Sequence, residues 1–419
     1  MRWIRARKWM VAALLAATPP LAHAGALAIV NARILPAPDV APIERGTLLI
    51  RDGRIHALGA SIELPEGVAR IDAQGATAVA GYWNSHVHFI APPLSEAASR
   101  PAGELGEALS AQYLRWGFTT VFDLASMSGN AIALRRRIEA GELAGPAILT
   151  VDAPFYPEGG TPIYVLEFEG MGEAARADEV ATPVQAGERA RRQLAQGADG
   201  AKIFAGAIVG GDTGVLPMPV PVARAVSDAT HAAGKPVFAH PTNLEGLRAA
   251  LDGGADVLTH PAPHVGTWPQ DLLRDMLSRK IALVPTLRLF EIELDKDGAP
   301  PAVKAEVIGI AQRQVADYAA AGGELLFGTD SGYIDWYDTR DELRMMGEAG
   351  LDWRQILASL TTAPARRFGS GDRQGRLAPG QAADVVLLDA DPREDVAGFA
   401  AVRAVYRDGR RVYPPAGAD

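Results

Sequence analysis

Between Ala80 and Gly369, short apolar runs alternate with stretches of helical periodicity, and this alternation constrains the fold more than any other feature. Such a pattern is typical of βα units, in which each helix connects two neighbouring parallel strands. Eight units over ~290 residues match a (β/α)8 TIM barrel in size. The predicted strands are Thr77–Ala80 extended into His86, Thr119–Leu124, Ala147–Val151, Gly200–Phe204, Pro236–Ala239, Val257–Thr259, Ile281–Pro285 and Glu324–Gly328.

Helical patterns lie between these runs, and several are followed by a glycine, as helix C-termini often are. Three examples are Val184–Gln196, Val220–Ala233 and Leu244–Asp252, followed by Gly197, Gly234 and Gly253. The glycine-rich segment Gly206–Gly214 lacks the Gly-Lys-Ser/Thr ending of a phosphate-binding loop. We therefore expect it to be a mobile substrate loop.

The two ends of the chain have a different, β-rich pattern. Short apolar runs from about Leu27 to Val79 are broken by Gly, Pro and Asp, and Asp52-Gly53 is typical of a hairpin turn. Similar runs follow residue 383, with a second Asp-Gly pair at Asp408-Gly409. These patterns predict a composite β-sandwich domain from residues 25–79 and 370–419, around a barrel domain of residues 80–369.

The first 24 residues resemble a secretory signal peptide. A positive segment is followed by an apolar stretch and then by the small-x-small sequence Ala22-His23-Ala24. The apolar stretch is interrupted by Pro19-Pro20 and is shorter than the ~20 residues of a membrane-spanning helix. We therefore expect cleavage after Ala24, a periplasmic or secreted protein, and no stable membrane anchor in the mature chain.

Composition excludes several kinds of chemistry. The chain has no cysteine, so disulfides, cysteine nucleophiles, thiolate zinc sites and iron–sulfur clusters are ruled out. A metal ion must then be held by His, Asp, Glu or a modified Lys. The net charge is −9 with no basic stripe beyond the N-terminus, so nucleic acid is not an expected partner.

Candidate metal ligands lie at the ends of the predicted strands. His86 and His88 are two residues apart on a strand, so both imidazoles point the same way. His240, His260 and Asp330 each follow an apolar run, and the carboxyl ends of barrel strands meet on one face. Lys202 lies in an apolar strand, where burial lowers the pKa of an amine and favours carbamate formation with carbon dioxide.

Together, the pattern His-x-His, Lys, His, His, Asp resembles the metal-dependent amidohydrolase superfamily. The segments Ala80–His88 and Gly328-Thr329-Asp330 are similar to its first and last strand motifs, and Thr361–Arg366 with Gly375–Asp384 resembles the return into its β-sandwich. Asn84 is a departure, since many members carry Asp there. The stretch from His240 to His260 resembles the branch that includes imidazolonepropionase and Xaa-Pro or N-acyl amino acid dipeptidases.

This resemblance implies a binuclear hydrolase. Two divalent ions, Zn²⁺ or alternatively Mn²⁺ or Co²⁺, would be bridged by N6-carboxylysine at Lys202 and would share a hydroxide nucleophile. His86, His88 and Asp330 would hold one ion, and His240 and His260 the other. Asp330 would also be the catalytic general base and acid. The implied reaction is cleavage of an amide or peptide C–N bond in a dipeptide, an N-acyl amino acid or an aryl amide, with homo-oligomers possible in this class.

Residues in predicted loops provide candidate substrate contacts. His264 follows His260 on the active face, and Arg288 could clamp a substrate carboxylate. Tyr156 could contact substrate and, with Tyr164, Trp336 and Tyr337, could line an aromatic pocket.

Other functions use the same residue pattern. A lactonase, a phosphoester hydrolase or a deaminase could employ this site, although Lys202 argues against a deaminase. A barrel that binds metal without catalysis is the remaining alternative. No Gly-x-Ser-x-Gly motif is present, which disfavours a serine hydrolase.

Overall fold

The computed structural model describes residues 26–168 and 172–415; the predicted signal peptide, residues 1–24, lies outside this part. The strands are β1 (Leu27–Ile34), β2 (Ile43–Arg51), β3 (Arg54–Gly59), β4 (Ala69–Asp72), β5 (Thr77–Ala80), β6 (Tyr82–Val87), β7 (Phe118–Asp123), β8 (Ala147–Thr150), β9 (Tyr156–Pro157), β10 (Glu179–Val180), β11 (Ala201–Phe204), β12 (Gly206–Gly210), β13 (Gly214–Pro217), β14 (Val237–His240), β15 (Val257–Thr259), β16 (Ala282–Val284), β17 (Glu324–Leu325), β18 (Val385–Leu388), β19 (Val402–Arg407) and β20 (Arg410–Tyr413).

The α-helices are α1 (Ala102–Gln112), α2 (Asn130–Glu139), α3 (Ile163–Leu166), α4 (Gly172–Ala175), α5 (Pro183–Gln196), α6 (Val220–Ala232), α7 (Leu244–Gly253), α8 (Gln270–Ser278), α9 (Leu287–Lys296), α10 (Pro301–Ala320), α11 (Arg340–Glu348), α12 (Trp353–Leu360) and α13 (Thr362–Arg367). Short 3₁₀ helices cover Leu94–Glu96, Leu114–Trp116, Arg176–Asp178, Pro263–Val265 and Val396–Ala400.

Two parallel sheets form the central part of the molecule. One has the strand order β6-β7-β8 and the other the order β11-β14-β15-β16-β17. Isolated parallel bridges join Phe155, after β8, to Ile203 of β11, and Val87 of β6 to Ser331, after β17. Because most connections carry helices, these strands are buried on both faces and read as apolar runs in the sequence.

Local sequence signals set the ends of the surrounding helices. Thr182 caps the N-terminus of α5 by accepting a hydrogen bond from the Gln185 amide, and Pro183 occupies the first turn. Gly197 ends this helix with a φ of 115°, a left-handed conformation that favours glycine. These signals position β11, which follows α5 and carries Lys202.

Both ends of the chain contribute to one further sheet. Its strand order is β20-β19-β18-β5-β1-β2-β3, and β4 also pairs with β1. β5 joins the two ends, since it is parallel to β1 and antiparallel to β18. A separate apolar core lies within this sheet and includes Ile29, Leu48, Ile50, Val385 and Leu387.

The boundary between the sheets corrects one sequence prediction. Thr77–Ala80 was expected to begin the first barrel strand, but it belongs to the sheet of the chain ends. The parallel strand is β6, after Gly81, whose amide donates to the Asp384 carbonyl. A side chain at Gly81 would lie 2.2 Å from Thr119 Oγ1, so only glycine lets the chain pass between the two sheets here.

The structure also corrects two smaller predictions. The segment expected to be a mobile loop is a β-hairpin, in which β12 pairs antiparallel with β13 from Gly206 to Pro217. Apolar residues on these strands, such as Ile208 and Val215, pair across it. Helix α7 includes Gly253, and the left-handed cap is Gly254. By contrast, Val257–Thr259 is a strand with the predicted bounds.

Across the described residues, we find no helix with the length and apolar character needed to cross a lipid bilayer.

Candidate metal centre and active-site cavity

The first two candidate ligands are fixed by the end of β6. His86 lies on this strand and His88 follows it directly, so both side chains leave on the same side. Asn84 ties the strand to the last ligand segment, because its amide nitrogen donates to Thr329 Oγ1 at 2.7 Å. The backbone amide of Asp330 donates to the His86 carbonyl at 2.9 Å. Ligands separated by more than 240 residues are thus held in register.

Four candidate ligands form a buried cluster. Asp330 Oδ1 lies 3.2 Å from His86 Nε2 and 2.7 Å from His88 Nε2, and its Oδ2 lies 3.5 Å from His260 Nε2. The two Nε2 atoms of His86 and His88 are 3.2 Å apart. Ligand atoms of His86, His260 and Asp330 lie within 4.8 Å of one another, close enough to hold one ion.

The hydrogen bonds of His88 show that this cluster fits a cation. His88 Nδ1 lies 2.9 Å from the Ala125 carbonyl, which can only accept, so this nitrogen carries the proton. The other ring nitrogen, Nε2, faces the Asp330 carboxylate at 2.7 Å, so both groups can bind one cation. A backbone carbonyl that fixes the ring of a ligand histidine is typical of metal sites.

The remaining two candidates complete the same centre. The ring centroids of His240 and His260 are 5.0 Å apart, and Phe204 stacks on His240 at 5.1 Å. Lys202 is 1% exposed, and its ammonium nitrogen donates to Thr259 Oγ1 at 2.8 Å. All six predicted ligands line a single cavity.

Burial controls protonation in this cluster. It lowers the pKa of His86 and His240 well below the usual value, and that of His260 to about 3, so these rings are neutral at pH 7. Burial also lowers the pKa of Lys202 to about 7, against the opposing effect of Asp330. Burial alone would raise the pKa of Asp330, but the neighbouring histidines, His86 first, hold it well below its usual range.

Half of the ten non-glycine residues with positive φ among the described residues lie around the candidate ligands. Five residues with left-handed φ lie at or just beyond strand ends on this face: Asp152 (63°), Thr242 (55°), His260 (80°), Thr286 (41°) and Asp330 (60°). This backbone conformation costs free energy for residues other than glycine, and most of all for a β-branched residue such as threonine. Thr286 is fully buried, and its hydroxyl lies 2.5 Å from His260 Nδ1. The strained turn therefore places the Thr286 hydroxyl beside the ring of the candidate ligand His260.

The cavity above the ligands has a volume of about 350 Å³. This value is at the lower end of small-molecule sites, which span roughly 300–1,000 Å³. Apolar side chains form most of its wall, and they come from α3, β12, α9, α10 and the loop after β6: Val165, Ile208, Leu289, Phe290, Leu294, Val307 and Ile90.

Some of the predicted substrate contacts line the cavity and others do not. Tyr156, Tyr164 and His264 line the cavity. Arg288 is not in the wall, because its guanidinium pairs with Glu291 and lies 3.6 Å from Asp341. This placement argues against the predicted carboxylate clamp.

Two predicted aromatic residues also lie outside the cavity wall. Trp336 packs under Arg288, with the guanidinium 4.7 Å from the ring centroid, and Tyr337 contacts Tyr113. Their loop position alone did not determine the direction of their side chains.

Several residues of the site were not singled out from the sequence. Tyr333 and Glu293 line the cavity, and the Tyr333 hydroxyl donates to Glu293 at 3.2 Å. Thr259 and Thr286 contact Lys202 and His260 from neighbouring strand ends. Polar residues beside each predicted ligand at a strand end could have indicated the two threonines. Glu293 carried no such signal, since α9 is an ordinary charged helix by sequence.

Comparison with known proteins identifies the family. The sequence model of the amidohydrolase family matches residues 77–412, which is most of the chain. The chain belongs to the amidohydrolase family. It is therefore an enzyme, a hydrolase, in agreement with the resemblance seen in the ligand motifs.

Individual relatives of this amidohydrolase cover nearly its whole length. An ochratoxinase from Aspergillus niger is 25% identical, over 90% of this chain and 84% of the relative. A protein described as a prolidase from Bifidobacterium longum is 26% identical, with a TM-score of 0.76 over 93% of this chain and 95% of that structure. An Xaa-Pro dipeptidase with bound methionine, 21% identical, has a TM-score of 0.77 over 92% and 99%. These likenesses indicate a TIM-barrel-like α/β fold.

Proposed function

We propose that this amidohydrolase is an exported, binuclear metal-dependent enzyme that cleaves an amide C–N bond in a small substrate. The observation that carries the proposal is the convergence of His86, His88, Lys202, His240, His260 and Asp330 on one cavity. Neutral imidazoles and an ionised carboxylate in a buried cluster are suitable ligands for Zn²⁺, and also for Mn²⁺ or Co²⁺.

The family resemblance supports a division of these ligands between two ions. His86, His88 and Asp330 would hold one ion, while His240 and His260 would hold the other. When bound, divalent ions make a water more acidic and polarise a carbonyl group. Asp330 stays ionised at neutral pH, so its carboxylate can accept a proton beside the reacting carbon and return it to the leaving nitrogen.

Lys202 would bridge the two ions as a carbamate. Its amine is buried, contacts Thr259, and has no carboxylate hydrogen-bonded to it among the described residues. The neutral amine adds to carbon dioxide, forming an N–C bond and releasing one proton. The product is an anion, which a buried site tolerates when cations neutralise it.

The substrate class follows from the cavity and from the relatives. Ochratoxinase, Xaa-Pro dipeptidase and prolidase are named among the similar proteins. A mostly apolar cavity of about 350 Å³ suits a small amide with an aromatic or aliphatic group rather than a long peptide. Tyr156, Tyr164 and His264 are positioned to contact it.

The test is metal analysis combined with turnover. Protein purified without chelator should contain about two metal ions per chain and hydrolyse members of a panel of dipeptides, N-acyl amino acids and aryl amides. Lys202→Ala should lose one metal and most of the activity. Lys235→Ala is the matched control, because Lys235 is partly exposed and pairs with Asp199 away from the cavity. Asp330→Asn should lower kcat by about 10²–10⁴.

Other outcomes point to other functions. One metal, or full activity in Lys202→Ala, would indicate a mononuclear hydrolase or a deaminase. Turnover of lactones or phosphoesters without amides would indicate the corresponding hydrolase. No metal and no turnover would indicate an inactive barrel.

The proposal includes the architecture and location of the chain. We infer that the two parallel sheets close into one (β/α)8 barrel, supported by the bridges Phe155–Ile203 and Val87–Ser331. The sheet of the chain ends would be a β-sandwich domain of residues 25–79 and 370–419. Removal of residues 1–24 after Ala24 would accompany export, and N-terminal sequencing of the protein from the periplasm or medium tests this.

A further inference from the structure

The charges that line the cavity are unevenly distributed. Within the described residues of its wall, Lys202 is the only lysine and no arginine is present. Lys202 lies among the candidate ligands, so the part of the cavity near α9 has no lysine or arginine side chain. That part does contain two carboxylates, those of Glu293 and Asp297.

The two carboxylates lie at the C-terminal end of α9. Glu293 accepts a hydrogen bond from the Tyr333 hydroxyl at 3.2 Å. Lys296 Nζ lies 2.7 Å from Glu293 and 5.3 Å from the ring centroid of Tyr333, but Lys296 is more than half exposed and does not line the cavity. The two carboxylates and this ammonium together leave a formal charge of −1 here, and salt screens the exposed ammonium.

Arg288 lies in the first turn of α9, but its guanidinium faces Glu291, Asp341 and the ring of Trp336. Polar groups of the cavity wall that could donate to a substrate carboxylate include the hydroxyls of Tyr156, Tyr164 and Tyr333 and the ring of His264.

Consider a substrate group that lies far from the scissile amide, in the part of the cavity near α9, and call it the remote group. A carboxylate there would lose water without gaining a lysine or arginine partner, and it would approach Glu293 and Asp297. An ammonium group at the same place would meet opposite charge. It would also lie near the aromatic ring of Tyr164, which lines the same cavity. Selectivity of this kind works mainly by penalising the wrong substrate.

We propose that the cavity selects amides whose remote group is uncharged or cationic and disfavours those that carry a free carboxylate there. This inference rests on the proposed amide hydrolysis and specifies its substrate class. It predicts a lower kcat/KM for N-acyl amino acids and for dipeptides with a free C-terminus than for neutral or basic aryl amides.

The test uses three aryl amides that share one scaffold and differ only in a remote methyl, aminomethyl or carboxylate group. With the metal-loaded enzyme, kcat/KM for the methyl and aminomethyl compounds should exceed that for the carboxylate by about tenfold, which corresponds to about 1.4 kcal/mol. Glu293→Gln and Asp297→Asn should each reduce the preference for aminomethyl over carboxylate by roughly threefold to tenfold. Asp295→Asn is the matched control, because Asp295 is exposed and pairs with Lys304 outside the cavity wall.

A higher kcat/KM for the carboxylate compound would overturn the inference, and its loss in His264→Ala would identify the group that binds the carboxylate. Unchanged ratios in both Glu293→Gln and Asp297→Asn would also overturn it. If no amide is hydrolysed, the proposed function fails. Calorimetric binding of the three product amines to the metal-loaded protein then tests the charge preference separately, with the same order expected.

Discussion

Thr286 provides a sharp test of how the fold supports the metal centre. It has φ 41° and ψ 48°, is fully buried, and places its hydroxyl 2.5 Å from His260 Nδ1. Replacing it with glycine relieves the strain but removes the contact with the ligand ring. Thr286→Gly should therefore separate folding stability from metal affinity, while Thr286→Ser, which keeps the hydroxyl, should preserve the metal affinity.

In Thr286→Gly, the change in the free energy of unfolding is the sum of opposing contributions. Removing a left-handed L-residue stabilises the fold by about 1–2 kcal/mol. Against this, loss of the hydrogen bond costs about 1 kcal/mol, loss of the buried methyl about 0.8 kcal/mol, and the freedom of glycine in the unfolded chain about 0.5–1 kcal/mol. The free energy of unfolding should thus change by no more than about 2 kcal/mol. Metal affinity should fall roughly 10–100-fold, as it does when a ligand histidine loses its orienting partner.

Two measurements check this prediction. Urea denaturation of the metal-free proteins gives the free energy of unfolding, and titration of zinc against a competing chelator gives the affinity. If Thr286→Gly bound zinc as tightly as the unchanged protein, Thr286 would not orient His260. An equally large loss of affinity in Thr286→Ser would refute the role of the hydroxyl.

Three further predictions use other parts of the structure. Gly332→Ala should lower the free energy of unfolding by several kcal/mol more than Gly350→Ala, as measured by chemical denaturation. The two glycines have similar φ, +95° and +90°, but a Cβ at Gly332 would lie 1.9 Å from the His88 carbonyl, whereas one at Gly350 would meet nothing within 4 Å. Burial raises the pKa of Glu342 from 4.5 to about 7, so its contribution to the free energy of unfolding is present below pH 4.5 and is lost by about pH 7. In Glu342→Gln, the free energy of unfolding measured across that pH range should therefore vary by about 3 kcal/mol less than in the unchanged protein. Adding zinc to chelator-treated protein at 100 times its Kd should raise the free energy of unfolding by about 2.7 kcal/mol, and an unchanged melting temperature would contradict a metal site.

The sequence indicated the general fold and the candidate ligands because both depend on local rules. Alternating apolar runs and helical patterns reflect backbone periodicity, and parallel strands deliver their C-terminal residues to one face. Positions such as His86, His240 and His260 could therefore be grouped without knowing any contact. The boundary at Gly81 was missed because the apolar run before it, which pairs with β18, has the same sequence pattern as a barrel strand.

What only the tertiary structure decided is where loop and helix side chains point. Arg288, placed by sequence order after a strand, turns toward Glu291 because ion pairs on α9 are available there. Glu293, one turn further along, reaches the cavity through its contact with Tyr333. By itself, the sequence determined which chemistry the centre could support, since ligand types and strand ends are local properties. The charge and shape of the substrate cavity depend on packing between distant elements, and they emerge only when the chain is folded.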